Sequence, residues 1–176
     1  VAITSNTYTG KITTQELPGS RWVVRANFPQ SVGDRQAEVE AFFAKVRGQA
    51  NRIQMWHLKR PVPRGTMRGS PVTSGARLQG QVVLSVVGPA GSTLLPGDML
   101  GVMTTAGAQL VEVVEASGVG TVTAEISPPL MANVNAGAAV QWNRPLTTWI
   151  SMSSEIMVPY GRNGIDPGVT IDLVEA

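Results

Sequence analysis

The 176-residue chain is 43% apolar, 15% charged and 5% aromatic, with 19 Gly, 12 Pro, a single His and no Cys. That much aliphatic content excludes disorder and a collagen repeat. The lack of Cys excludes a disulfide scaffold and any thiolate metal site, and His57 alone excludes a multi-histidine centre. The net charge of +2 is unevenly spread: residues 1–70 carry 11 Lys or Arg against 4 Asp or Glu, and residues 71–176 carry 3 against 8. A basic first part suits nucleic acid or an oppositely charged neighbour, including another copy of the chain. Its cations are scattered and not interleaved with aromatics, which favours the neighbour.

In chain order, Trp22–Phe28 reads as a strand closed by Pro29. Val39, Phe42, Phe43 and Val46 then fall at i, i+3, i+4 and i+7, which predicts a helix over 34–47. Asp34 or Ser31 is the expected N-cap, and Gly48 the left-handed stop. Phe42 and Phe43 are expected to seal that helix onto a sheet. Arg52–Leu58 reads as the next strand, carrying Trp56 and a structural His57, and stops before Pro61 and Pro63. The segment Arg60-Pro61-Val62-Pro63-Arg64 is rigid and basic, a linker or an inter-subunit arm.

From about Arg77 the pattern changes to short strands and tight turns. Gln81–Val87, Met99–Met103, Gln109–Glu115, Thr121–Ser127 and Ala138–Trp142 are five strands separated by Gly and Pro punctuation. Such a block suggests a small closed barrel. Longer strands then return: Thr148–Val158, a loop over 160–164, and Val169–Val174, where Val169, Ile171 and Leu173 share one face. The last strand is expected to complete the sheet begun at Trp22. The fold predicted is mainly β: a β-sandwich core (1–79 and 146–176) flanked by one helix, with an inserted five-stranded barrel (80–145).

No catalytic constellation emerges. No Ser lies in a Gly-x-Ser-x-Gly elbow, and Gly118-Val119-Gly120 leads into a strand instead of a phosphate-binding helix. Glu112 and Glu115, three apart on a strand, are expected on opposite faces. Asp98, after Pro96-Gly97, is expected to stabilise its own turn. Trp142 and Trp149 are expected to be buried under the barrel. The charge-free runs 78–97 and 126–143 are broken by Pro, Gly, Asn and Gln, so neither predicts a membrane span, and the first residues do not read as a signal peptide. The expectation is a protein that is not an enzyme and uses no cofactor or metal.

Several segments resemble the distal tail proteins of long-tailed bacteriophages. The stretch Glu40 to Gln49, running into Ile53–Leu58, is similar to their helix and the aromatic-bearing strand after it. Leu94–Asp98 with Ala108–Val114, and Ile126–Leu130 with Gly137–Val140, resemble their small inserted β-domains. Val169 to Ala176 resembles their closing strand. The resemblance implies a tail-tube-like sandwich assembled as a homo-hexameric ring at the tail tip of the virion, formed in the host cytoplasm. That ring joins the tail-tube protein above to the tail-tip hub protein below and leaves a passage for DNA without recognising its sequence. Phe42, Phe43, Arg47, Arg52, Trp56 and Lys59 are the structural and interface candidates it leaves. A tail-tube or tail-terminator subunit and a carbohydrate-binding β module are the alternatives.

Overall fold

A computed structural model of the chain describes residues 2–5, 12–15, 21–29, 31–58, 60–154, 165–166 and 168–176. In chain order the elements are β1 (Ala2–Ser5), β2 (Ile12–Gln15), β3 (Val23–Phe28), β4 (Ser31–Val32), α1 (Asp34–Val46), β5 (Ile53–Met55), β6 (Val72–Thr73) and β7 (Val83–Val87). They continue with β8 (Met99–Thr104), β9 (Gly107–Ser117), β10 (Thr121–Ser127), β11 (Val140–Gln141), β12 (Thr147–Ser151), β13 (Ile165–Asp166) and β14 (Val169–Glu175). The protein is mainly β, with one helix among the described residues, a curled four-stranded half-barrel sheet and a nearly closed six-stranded antiparallel barrel-like sheet.

The half-barrel has the strand order β3-β14-β12-β5. The closing strand therefore does join the strand that starts near Trp22, with Val169 opposite Phe28 and Val174 opposite Val23. Beyond Pro29 the same antiparallel register resumes between β4 and β13, with Val32 opposite Ile165. A proline has no N–H to give to a ladder, so Pro29 marks where the pairing breaks. Across the exposed face of this ribbon, Arg25 Nε donates to Asp172 Oδ1 at 2.7 Å. The Arg25 hydrogen bond holds the Asp172 carboxyl below its ordinary value.

The barrel-like sheet has the order β11-β8-β9-β10-β7-β6. Five of its strands follow the alternation of the sequence, and β6 is a sixth, in the Pro71–Thr73 segment that hydropathy alone does not mark. Thr73 N donates to Ala138 O at 2.9 Å and Val140 N to Pro71 O at 3.0 Å, drawing β6 towards β11 and almost closing the sheet. Met67 is fully buried in the barrel core with Leu84, Leu100, Val111, Val122 and Ile126.

One irregularity changes which side chains meet. Glu125 pairs with Glu115 but Ile126 pairs with Val113, so Val114 is an extra residue in β9. Such a bulge resets the alternation. Glu112 and Glu115 consequently share the outer face, contrary to their expected separation, while Val113 and the partly buried Ala116 face inward.

The two sheets share a wall. On β8 and β9, Leu100, Val102, Val111 and Val113 point into the barrel, whereas Met99 and Leu110 point the other way and join Phe43, Trp149, Ile171 and Leu173 in a second core. Trp149 thus lies in the half-barrel core against the outside of the barrel, a correction to its expected place beneath it. Gly101 faces the same crowded side, where a Cβ would stand 2.9 Å from Pro145 Cβ.

Helix α1 lays its stripe on this second core. Phe43 is 4% exposed and its ring centroid lies 5.1 Å from that of Phe28; Phe42 is half-buried, 5.7 Å from Phe28. The start of the helix differs from expectation, and at its end the left-handed geometry begins one residue before Gly48. The N-cap is Gly33, with φ 62° and no side-chain cap bond, so neither Asp34 nor Ser31 serves. At the other end the left-handed residue is Arg47 (φ 50°), whose N–H donates to Phe43 O at 3.1 Å. Gly48 follows, also left-handed, and a Cβ there would overlap the Ser154 backbone carbonyl, so the turn must pass closer to that strand end than any side chain permits.

Phe43→Ala is expected to lower stability by about 3–5 kcal/mol, the usual range for a buried Phe. Phe42→Ala is expected to cost less, because part of that ring is already in water. Chemical denaturation of the two variants checks the order.

Candidate functional site

The six sequence candidates do not converge on one site. Phe42 and Phe43 are absorbed in the seam between helix and sheet. Arg47 and Arg52 are exposed on either side of the turn that leaves the helix. Trp56 is half-buried beneath Arg144, whose guanidinium carbon lies 5.5 Å from the ring centroid, within cation–π range. Lys59 lies outside the described residues. The expected strand 52–58 is shorter, β5 ending at Met55, so His57 sits in the turn beyond it, where Arg60 N donates to His57 O at 3.1 Å.

The most built-up surface feature is where the chain crosses between the sheets. It crosses after β5, through Arg60–Arg64, and returns after β11, through Arg144–Leu146. The two crossings are tied together by Arg144 N, which donates to Pro61 O at 2.6 Å. Arg60, Pro61, Val62 and Arg64 face Pro96, Gly97 and Asp98 across a cavity of about 410 Å³. Its floor is fixed by Asp98, 1% exposed, whose carboxylate accepts from Arg64 N (2.7 Å), Gly65 N (3.2 Å) and Leu95 N (2.8 Å). The Leu95 bond stabilises its own turn, as expected. The other two clamp the basic segment onto that turn, which sequence separation hid.

Two guanidiniums line the cavity with different partners. Arg60 donates to Gly97 O at 3.0 Å and is ion-paired with Glu112. Arg64 donates to Pro96 O, and no carboxylate among the described residues lies within ion-pair distance of its side chain. The arrangement can hold an acidic group at Arg64.

A second polar contact lies deeper in the junction. β10 covers β9 only from Glu112 onward, which leaves the backbone of Leu110 without a strand partner on that side. Side chains of the other sheet take that place. The Trp22 indole Nε1 donates to Leu110 O at 3.0 Å, and Leu110 N donates to Glu175 Oε1 at 2.6 Å. Glu175 is 0% exposed, and its Oε2 has no hydrogen-bond partner among the described residues. Burial pushes its carboxyl up to about 7, against the opposing pull of the Leu110 and Trp22 amides and the Arg21 charge. Sequence reading missed this residue, although the alternation Val169, Ile171, Leu173 puts 175 on the same inward face.

Trp142, by contrast, is half-buried against the barrel core, with its Nε1 donating to Gly69 O at 2.8 Å and the Arg68 guanidinium carbon 5.0 Å from its ring. Among the described residues no group of three or more His, Asp or Glu could hold a metal ion, and no helix is long and apolar enough to cross a membrane. No protein-family model matches the chain, and no curated protein matches it.

Asp98→Ala removes the acceptor of three amides, two of them on another segment, and is expected to cost about 2–4 kcal/mol, since bonds to a charged group contribute roughly 1.5–3 kcal/mol each and are not additive. Arg64→Ala, at an exposed side chain, is expected to stay within about 0.5 kcal/mol of the parent. Urea unfolding of both variants tests whether the carboxylate, and not the guanidinium, holds the crossing in place.

Proposed function

We propose that the chain is a structural subunit of a phage tail tip, forming a homo-hexameric ring that joins the tail tube to the hub, as its resemblance to distal tail proteins implies. The observation that carries the reading is the curled four-stranded sheet, whose outer strands β3 and β5 have no further strand partner among the described residues. An open half-barrel leaves backbone donors and acceptors along both margins, and pairing with neighbouring copies is one way to satisfy them. In this reading the half-barrel sheet and its helix make up a tail-tube-like sandwich. The adjoining crossings at Pro61 and Arg144 suit a barrel inserted into that core, because an insertion leaves and re-enters its host at one place. In this reading the protein acts by assembly at the tail tip of the virion, with the tube protein, the hub protein and copies of itself as partners.

The exposed cations Arg47 and Arg52 belong to the contact between copies, in which the basic first part of one subunit meets the acidic remainder of the next. Native mass spectrometry together with images of assembled tails tests this. A closed hexamer in solution, or a monomer that forms one ring at the tube's end, is expected. Charge reversal at Arg47 or Arg52 is expected to weaken assembly, and more so at low salt, while leaving the unfolding midpoint nearly unchanged. A protein that stays monomeric and occurs in tails as anything but a closed ring contradicts the proposal.

A further inference from the structure

We propose that Glu175 is a proton-operated latch between the half-barrel and the barrel, closing the junction when neutral and loosening it when ionised. The geometry carries the inference. A carboxyl group with no solvent exposure sits against the second core, opposite Trp149, and holds the uncovered backbone of β9 through the Leu110 N–H. One of its oxygens is bonded and the other, Oε2, has no partner among the described residues. A neutral carboxyl in that position keeps the bond to Leu110 at modest desolvation cost, whereas a carboxylate leaves an incompletely solvated charge against Trp149 and Leu173.

Among the described residues, burial outweighs what the Leu110 and Trp22 amides and Arg21 offer that charge. Arg21, from the segment before β3, is the one cation among the described residues acting on it, and its Nη1 donates to the Glu175 carbonyl at 3.4 Å. Trp149, opposite Glu175 on β12, carries no charge, nor do Gln109 and Leu110 on β9. Glu112 faces outward to Arg60, and Asp172 is engaged with Arg25. With the carboxyl raised to about 7 in the folded protein from an ordinary 4.5, the stabilisation is fully present below about 4.5 and is lost as pH rises through 7. Opening at both side-chain bonds, Trp22 Nε1 to Leu110 O and Leu110 N to Glu175 Oε1, frees both backbone groups of Leu110.

Amide hydrogen exchange read by NMR between pH 5 and 8, corrected for the intrinsic rate, tests the latch. In the wild-type protein the opening constant at Leu110 is expected to rise roughly tenfold per pH unit up to about pH 7 and then level off. The Ala124 amide, inside the barrel, is expected to change much less. Glu175→Gln keeps an acceptor for Leu110 without a charge and is expected to flatten the profile. The same pH dependence in parent and variant, or a flat wild-type profile, overturns the proposal. Should the variant fail to fold, the wild-type Glu175 carboxyl carbon, followed by its chemical shift, decides: titration near 7 supports the latch and titration below 5 overturns it.

Discussion

Everything else in this structure depends on β8 and β9 being apolar on both faces. In an ordinary small barrel the inward positions are apolar and the outward ones polar. Here Met99 and Leu110, on the outside, are as thoroughly buried as Leu100 and Val111 on the inside. The half-barrel sheet uses that outer wall as the other half of its core, with Trp149 and Leu173 against it and α1 covering the rest. Separating the sheets would expose the wall and the whole inner face of β12 and β14. The bulge at Val114 suits the same arrangement, since it re-aims the far part of β9 once the shared stretch has ended.

The positions of α1, of β3 and β14 and of the main barrel strands were legible because they rest on local periodicity, whereas β1, β2, β4 and β13 were not. The stripe from Val39 to Val46, the alternation in Thr121–Ser127, and the face made by Val169, Ile171 and Leu173 each declare their own burial. The pairing of β14 with β3 was legible too, because a strong alternating strand needs a sheet to join. What escaped was set by non-local contacts. β6 is two residues long and is a strand because β7 lies beside it and the segment before β11 bonds to its other edge. At the end of α1 the left-handed geometry begins at Arg47, one residue before the Gly48 that residue preference marks.

The polar contacts of the junction were harder still. Asp98 binds amides 33 and 34 residues away, and Glu175 binds one 65 residues away, distances over which no spacing rule operates. Each was visible as a carboxylate and neither as a partner. The cavity between Arg60, Arg64 and Gly97 likewise exists only because the crossings meet. The sequence therefore reports the scaffold far better than the long-range contacts that join its segments.

The shared wall is the claim on which this account stands, and one substitution addresses it directly. Met99 belongs to a barrel strand but contributes its side chain to the half-barrel core. In Met99→Ala, residue-resolved hydrogen exchange is expected to show lowered protection for Leu173 and Trp149 in the half-barrel sheet as well as for Val111 in the barrel. Loss of protection confined to the barrel strands, with Leu173 and Trp149 unchanged, would show that the two sheets do not depend on a common wall.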